Sequence, residues 1–355
     1  MAPNPARLNP ITRMHDHGRV AMARSFVPFH WREALLCAPA MPLLVLAGVL
    51  TGEAVAGVTA AGAAFAVGFG AARELRGRRW GAMAAATLGM SLSAFAGSLA
   101  GLDPALFTVI AAGAGALCAA AALYDENLWW VALQVVIAFF VAGYYAGNAE
   151  TAEARALAVL AGGLAQMGIV RVLAWSFPAA SAPTILPARP SAPRMLRLAH
   201  MGRAAVCVAA SLLVARRLAI SNSYWAPMTA LLVLKPRLHE TRARGIARLT
   251  GTLAGCLAAT LYAHLCRDWT GLLGVGMAVS ALLSYALQRA HYASLTAAIT
   301  ATVVLLLTLG HSVALANAEH RLEATLLGGG IALAVAALVP HGGRAGRPAV
   351  DRIGS

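Results

Sequence analysis

The sequence predicts an all-α, polytopic membrane protein with about twelve transmembrane helices in two parallel six-helix repeats. Of its 355 residues, 59% are hydrophobic and 12% are charged, whereas a soluble protein carries roughly 25% charged residues. Apolar runs that reach the ~17 residues needed to cross a bilayer recur along nearly the whole chain. A proline-rich segment near the middle separates two series of such runs.

The apolar runs, taken in order, give the predicted spans. The first series is 34–50, 54–71, 80–101, 105–123, 128–147 and 156–174, and the second is 202–219, 222–234, 247–266, 270–287, 292–311 and 322–339. Between them FPAASAPTILPARPSAP contains too many prolines to continue a helix. We therefore predict an N-terminal arm at 1–33, a first membrane half at 34–176, a linker at 177–201, a second half at 202–340 and a tail at 341–355.

The arginines predict the orientation of the spans. With the N-terminus inside, most arginines fall on inside segments, and the outside loops keep Arg155, Arg216, Arg217, Arg267 and Arg321. Positive loops face the cytoplasm, so both termini are predicted to be cytoplasmic. The same rule explains the sequence pI near 10.7 better than nucleic-acid binding, since no separate basic domain is present. The pair Tyr144-Tyr145 at a span end is interpreted as a lipid-interface anchor.

Similar segments in the two halves predict an internal duplication. AEARALAVLAGG begins at residue 152 and AEHRLEATLLGG begins at residue 318. An offset of about 165 residues also aligns Arg79 with Arg244 and Gly62 with Pro227. Because each unit holds an even number of spans, the two copies would share one orientation in the membrane.

The eighth predicted span, 222–234, is unusually short. Its apolar core would give only about 18 Å of helix, against a hydrocarbon thickness of about 30 Å. Pro227 lacks a backbone donor and is predicted to break the helix. Short segments interrupted by Gly or Pro at matching positions of two repeats are pointers to a transport site, and the counterpart of Pro227 is Gly62.

The residues around this segment suit a flat, apolar anion. Tyr224 and Trp225 offer stacking surface, and the cations that follow would attract and orient a carboxylate. Gly251 and Gly255 form a small-residue face for close helix packing. The candidate substrate-binding residues are Tyr224, Trp225, Thr229, Lys235, Arg237, Arg244, Arg248 and Thr252. A lipid-anchoring aromatic pair followed by ordinary cytoplasmic arginines explains the same residues without a binding site, and this alternative stays open.

The stretch YWAPMTALLVLKP and the following TRARGIARLTGTLAG resemble the fusaric acid resistance family, also called the aromatic acid exporter family. The matching positions are Tyr224, Trp225, Ala226, Thr229, Pro236, Thr241, Arg244, Arg248, Gly251, Thr252 and Gly255. The resemblance implies a bacterial inner-membrane protein that exports aromatic carboxylic acids, often with a periplasmic adaptor. Larger members carry a long cytoplasmic domain, where this chain has the proline-rich linker.

Acidic residues near the last predicted span are candidates for proton coupling. Glu319 and Glu323 are four residues apart, and Glu323 is the leading candidate because a carboxylate that enters a membrane helix is costly and often functional. His320 titrates near neutral pH. Snorkelling at the helix end and a local ion pair with Arg321 are the alternative interpretation.

The sequence excludes several classes of function. It has no nucleotide-binding GxxxxGK[ST] loop, no HExxH motif and no GxSxG motif, so we expect no enzyme activity, no cofactor and no metal. The expected partners are membrane lipid and a small organic anion, and a periplasmic adaptor and a second copy of the chain are further candidates. The predicted function is proton-coupled efflux of small aromatic carboxylic acids; a non-transporting scaffold or a subunit of an efflux complex is the alternative.

Overall fold

The computed structural model describes residues 29–176, 193–310 and 313–338. Within these ranges the chain forms helices and no strand, apart from one isolated bridge between Leu75 and Arg78. The predicted tail, most of the predicted arm and nearly all of the proline-rich segment lie outside the described residues.

The helices follow the predicted spans closely. In chain order they are α1 (Trp31–Cys37), α2 (Ala40–Thr51), α3 (Ala54–Gly68), α4 (Gly81–Ala100), α5 (Pro104–Ala122), α6 (Glu126–Tyr144), α7 (Ala149–Ser176), α8 (Arg194–Arg217), α9 (Trp225–Val233), α10 (Leu238–Leu265), α11 (Thr270–Ala286), α12 (Tyr292–Leu309) and α13 (Ala314–Leu338).

Nine segments of the described chain are long and apolar enough to cross a membrane. Helices α1 and α2 together make one of them, Trp31–Thr51, which is interrupted before Pro39, a residue that has no backbone donor. The helices α3 and α11 are apolar but shorter, and α9 has nine residues. This composition indicates a multi-pass membrane protein.

Four helices begin well before the apolar runs that predicted them. They start at residues 149, 194, 238 and 314, where the predicted spans start at 156, 202, 247 and 322. The additional turns contain charged residues, which an apolar-run criterion excludes although they continue a helix without difficulty. The prediction that Arg155, Arg216, Arg217 and Arg321 lie in outside loops is wrong, because all four residues lie within helices, α7, α8 and α13.

The two halves of the chain pack their helices in the same pattern. In the first half α4 packs on α6 and α7, α3 packs on α7, and α5 packs on α6. In the second half α10 packs on α12 and α13, α9 packs on α13, and α11 packs on α12. The pairs α2–α3 and α8–α9 correspond in the same way.

A close backbone contact recurs at equivalent positions of the two halves. A Cβ atom added at Gly162 of α7 would clash with the carbonyl oxygen of Ala60 in α3. A Cβ atom at Gly328 of α13 would clash in the same way with the carbonyl oxygen of Ala226 in α9. Both members of the pair are displaced by 166 residues, from 162 to 328 and from 60 to 226, so glycine lets the short helix approach the long one in each half.

Contacts between the halves join the molecule into one bundle. Helix α5 packs on α8 and α1 packs on α11, with smaller contacts between α3 and α12 and between α6 and α9. The Tyr285 hydroxyl on α11 donates a hydrogen bond to the carbonyl of Phe65 on α3, at 2.9 Å. The backbone N–H of His30 donates to the carbonyl of Ala286 at 3.1 Å.

Candidate functional site

The short helix α9 begins at Trp225, and Pro227 is its third residue. Backbone N–H groups in the first turn of a helix have no intrahelical acceptor, so a proline at this position removes no hydrogen bond. The predicted break at Pro227 is therefore absent. The helix is short because Leu234 adopts an extended conformation, with ψ of 122°. Its counterpart Gly62 lies within α3.

Helix α10 presents Arg244, Arg248 and Thr252 on three successive turns of one face. Arg248 is 4% exposed and Thr252 is fully buried. Gly251 and Gly255 lie so close to α12 that added Cβ atoms would clash with backbone carbonyls of that helix. The predicted small-residue face thus brings α10 against α12.

Arg321 of α13 is the third arginine at this interface, and it is not among the binding residues predicted from the sequence. Its side chain is 2% exposed, and its guanidinium lies 3.7 Å from the ring centroid of Trp225. Its Nε–H donates to the hydroxyl of Thr300 on α12 at 3.4 Å. The match between the AEAR and AEHR segments is the sequence signal that could have placed it inside a span.

An arginine covers one face of Trp225, which was predicted to stack on substrate together with Tyr224. Arg321 covers one face of Trp225, and the Arg244 guanidinium lies 3.3 Å from the ring centroid of Tyr292. Tyr224 is buried at 4% exposure among other aromatic rings. Its ring centroid lies 4.7 Å from that of Trp225 and 5.3 Å from that of Tyr144, a residue interpreted from sequence as a lipid anchor.

The arginine cluster, defined as Arg244, Arg248 and Arg321, has no ion pair with an acidic residue among the described residues. Arginine ion pairs elsewhere, such as Arg237–Glu240 at 3.9 Å and Arg267–Asp268 at 3.5 Å, lie on exposed side chains. The charges of Arg248 and Arg321 lie near enough to repel each other. This interface therefore concentrates positive charge inside the helix bundle.

The same interface holds many buried polar atoms without a hydrogen-bond partner, which native proteins normally avoid. Such atoms on α9, α10, α12 and α13 are Thr229 Oγ1, Arg244 Nε, Arg248 Nε, Thr252 Oγ1, Thr260 Oγ1, Tyr292 Oη, Thr296 Oγ1, Asn317 Nδ2, His320 Nδ1 and Arg321 Nη1. In the described residues of the first half, Gln166 Oε1 is the corresponding instance. Buried polar atoms without partners thus occur on each of these four helices, and α8 carries others, Arg197 Nε and Ser211 Oγ.

Lys235 lines a cavity of about 240 Å³ at the end of α9, which we name the Lys235 cavity. Its Nζ lies 5.1 Å from the ring centroid of Trp129, and His200 and Glu240 also line the space. Burial, and then repulsion by Arg244, lower the pKa of Lys235 to about 8. The Lys235 backbone N–H donates to the Thr241 hydroxyl at 3.0 Å, which fixes the turn into α10.

The other predicted residues are more exposed than Arg248 and Arg321. Arg237 is exposed at the start of α10. Glu319 and Glu323 are exposed on α13, whereas Arg321 between them is buried, and no ion pair joins Arg321 to either glutamate. His320 is half-buried. A role for these groups in proton coupling stays a prediction.

The part of the chain that resembles a known family runs from the second half of α8 through α9, α10, α11 and α12 to near the end of α13. Residues 207–335 match the family model described as fusaric acid resistance protein-like. This match confirms the resemblance inferred from the motif around Tyr224 and Arg248. The matched region contains the whole arginine cluster and leaves the first half of the chain outside it.

One curated relative is similar in sequence to part of this chain. The uncharacterized protein YhfK of Escherichia coli (strain K12) is 32% identical over 112 residues, which is 32% of this chain and 16% of that protein. The matched segment is thus a small part of a much longer relative. No solved structure matches the chain.

Proposed function

We propose that the protein is a secondary transporter that moves small organic anions along the interface of α9, α10, α12 and α13. The observation that carries this proposal is the burial of Arg248 and Arg321 within apolar helices, with no carboxylate beside them in the described residues. The match of this region to a fusaric acid resistance protein-like family supports the same conclusion.

The free-energy cost of burying the arginine cluster in the membrane is the physical argument for an anionic substrate. Insertion of one arginine at the centre of a membrane helix costs about 2.5–3.5 kcal/mol, and such residues mark ion or substrate pathways. Two cations that repel each other cost more than two isolated ones. An anion that enters the interface offsets this cost, so the same side chains that destabilise the empty protein favour the loaded one.

The proposed substrate class is small aromatic carboxylic acids, and the proposed direction is efflux. The description of the family as fusaric acid resistance protein-like supports both. In the predicted orientation the Lys235 cavity opens toward the cytoplasm, where Lys235 would attract the anion before it reaches Arg244. Proton entry would use Glu323, with Glu319 and His320 as nearby titratable groups.

We further propose that the bundle comprises twelve spans in two parallel six-helix repeats, with both termini on the cytoplasmic side of a bacterial inner membrane. The matching pattern of helix packing in the two halves supports this arrangement. The equivalent glycine contacts at Gly162 and Gly328 support it independently. The short helices α3 and α9 occupy the same place in each unit.

Accumulation of labelled aromatic acids in cells tests the proposal. Cells that produce the protein should accumulate less of at least one acid than cells without it, and collapse of the proton gradient should remove the difference. Equal accumulation across the panel, with the protein present in the membrane, would contradict transport of aromatic acids and favour a scaffold or a subunit of an efflux complex.

A further inference from the structure

We propose that Arg248 and Arg321 together bind the carboxylate of the transported anion, and that this site recognises the charged group instead of an aromatic ring. The inference rests on the proposed transport function and deepens it. It adds Arg321 to the binding residues and removes Trp225 and Tyr224 as stacking surfaces for the substrate.

The geometry of Arg321 suits an anion ligand. A guanidinium carries its N–H donors in its own plane, so the stack against Trp225 at 3.7 Å leaves the edges of the group available for hydrogen bonds. Nε already donates to Thr300, and Nη1 is buried with no acceptor. Trp225 therefore orients Arg321 and leaves a donor ready for a carboxylate oxygen.

Arg248 supplies the second donor group. It is buried, its Nε has no acceptor, and its charge interacts with that of Arg321. Thr252 lies one turn further along α10, and Thr296 contacts Gly251 from α12; both hydroxyls are buried without partners. Arginine forks pair with carboxylates through parallel hydrogen bonds, which makes this donor set suited to a carboxylate.

The contacts of the aromatic residues argue against ring recognition at this site. Arg321 covers a face of Trp225, Arg244 covers a face of Tyr292, and Tyr224 packs among Tyr144, Tyr145 and Trp225. A substrate ring would have to displace one of these contacts in order to stack. The site should therefore bind aliphatic and aromatic carboxylates of similar size about equally.

The first half of the chain offers a matched control. The counterpart of Arg321 is Arg155, which is half-buried and hydrogen-bonds to the hydroxyl of Ser98. The positions equivalent to Arg248, at an offset of 165 or 166 residues, are the buried apolar residues Met83 and Ala82. A second arginine therefore does not accompany Arg155, and we infer no anion site there.

Thermal unfolding of the purified full-length protein in detergent tests the site directly. The probes are benzoate, cyclohexanecarboxylate and the uncharged benzamide, at constant ionic strength. Because a ligand that binds the folded state stabilises it by mass action, both carboxylates should raise the unfolding temperature, with half-saturating concentrations within about threefold of each other. Benzamide should leave the unfolding temperature unchanged.

Two variants and one control test whether the stabilisation by benzoate depends on Arg248 and Arg321. Arg321→Met and Arg248→Met should each raise the half-saturating benzoate concentration by about tenfold or more, as the loss of a charged hydrogen-bonding partner implies. Neither should unfold below the wild type in the absence of ligand, since each removes an uncompensated buried charge. Arg155→Met should retain the wild-type response to benzoate.

A benzoate response that persists in both Arg321→Met and Arg248→Met would overturn the inference, and so would stabilisation by benzamide equal to that by benzoate. A wild type that exports aromatic acids from cells without any carboxylate-dependent stabilisation would overturn the site and leave the transport function standing. The opposite result, stabilisation without export, would retain the site and contradict transport.

Discussion

Arg248 is the residue on which the transport pathway depends most. It sits midway along α10, is 4% exposed, and has neither an acidic neighbour nor an acceptor for its Nε among the described residues. A buried arginine without an acidic partner does not stabilise the fold, because its burial destabilises the protein when no anion is bound. Its presence is explained if an anion occupies the interface during part of the transport cycle.

Replacement of Arg248 by Gln should abolish export while the protein remains in the membrane. Loss of the cation removes the group that offsets the charge of the anion, which corresponds to about 1.5–3 kcal/mol and at least tenfold in transport rate. Efflux of a labelled acid, divided by the amount of this protein in the membrane, measures the loss of transport. Arg242→Gln is the matched control, because Arg242 is exposed on the same helix; equal loss in both variants would argue for a general effect of charge.

Lys235 should make transport depend on pH near 8. Its pKa is lowered to about 8 by burial and by the charge of Arg244, so the side chain is positive below pH 8 and becomes neutral as the pH rises through that value. Attraction of the anion should then weaken, with a change in half-saturating concentration of up to about tenfold between pH 7 and pH 9. Glu240, Glu126 and Cys118 also act on this group and should shift the midpoint modestly.

The control for this pH dependence is Lys235→Arg, which keeps its charge throughout the range. Transport by this variant should show no change of affinity near pH 8. A wild type whose affinity is flat between pH 7 and pH 9 would remove Lys235 from the pathway.

Glu323→Gln should uncouple transport from the proton gradient. Glu323 is exposed on α13, on the side of the helix away from the buried Arg321, so its replacement should not disturb the packing of the helix. Efflux measured with and without an imposed pH gradient tests the role, with Glu319→Gln as the neighbouring control. Unchanged proton dependence in Glu323→Gln would exclude this residue from the coupling mechanism.

At the scale of elements, the contact between α9 and α13 sets the position of the short helix. Gly328 allows the backbone of α13 to approach the carbonyl of Ala226 so closely that no side chain fits between them. Because α13 carries Arg321 and α9 carries Trp225, this contact also holds the stacked pair together. The packing of α9 thus determines the geometry of the arginine cluster.

Gly328→Ala should therefore destabilise the protein by about 1–3 kcal/mol, the usual cost of overpacking, and should reduce transport. Thermal unfolding in detergent gives the stability. Gly330→Ala is the control, since a Cβ at Gly330 would meet no atom within 4 Å. Similar unfolding temperatures for both variants would contradict the close contact.

The sequence predicted where the apolar helices lie, but it did not predict where α13 begins or which residues of α13 and α9 are in contact. Apolar runs located the nine described segments that are long and apolar enough to cross a membrane, because helices that span a bilayer need a long apolar stretch. They misplaced the start of α13, since Glu319, His320 and Arg321 are polar although the helix continues through them. Arg321 was therefore assigned to a loop, and its contact with Trp225 depends on the tertiary packing of two helices that are distant in sequence.

At the scale of the molecule, the two halves share a packing pattern but differ in chemistry. The interface of α10, α12 and α13 carries the arginine cluster, whereas the equivalent part of α4 is lined by buried residues such as Ala82 and Met83. The motif near Tyr224 located the polar half from sequence alone. It did not predict that Arg321 covers a face of Trp225, because this contact joins two helices that are distant in sequence.

The most direct test of transport by the arginine cluster is counterflow in liposomes that contain the purified protein. Liposomes loaded with unlabelled phthalate at pH 7.5, where this aromatic anion crosses lipid poorly, are diluted into labelled phthalate, with protein-free liposomes as the baseline. We predict transient accumulation of label by the wild type and none by Arg248→Gln. Wild-type liposomes that accumulate no more label than the protein-free ones, with this anion and with other aromatic carboxylates, would contradict the account.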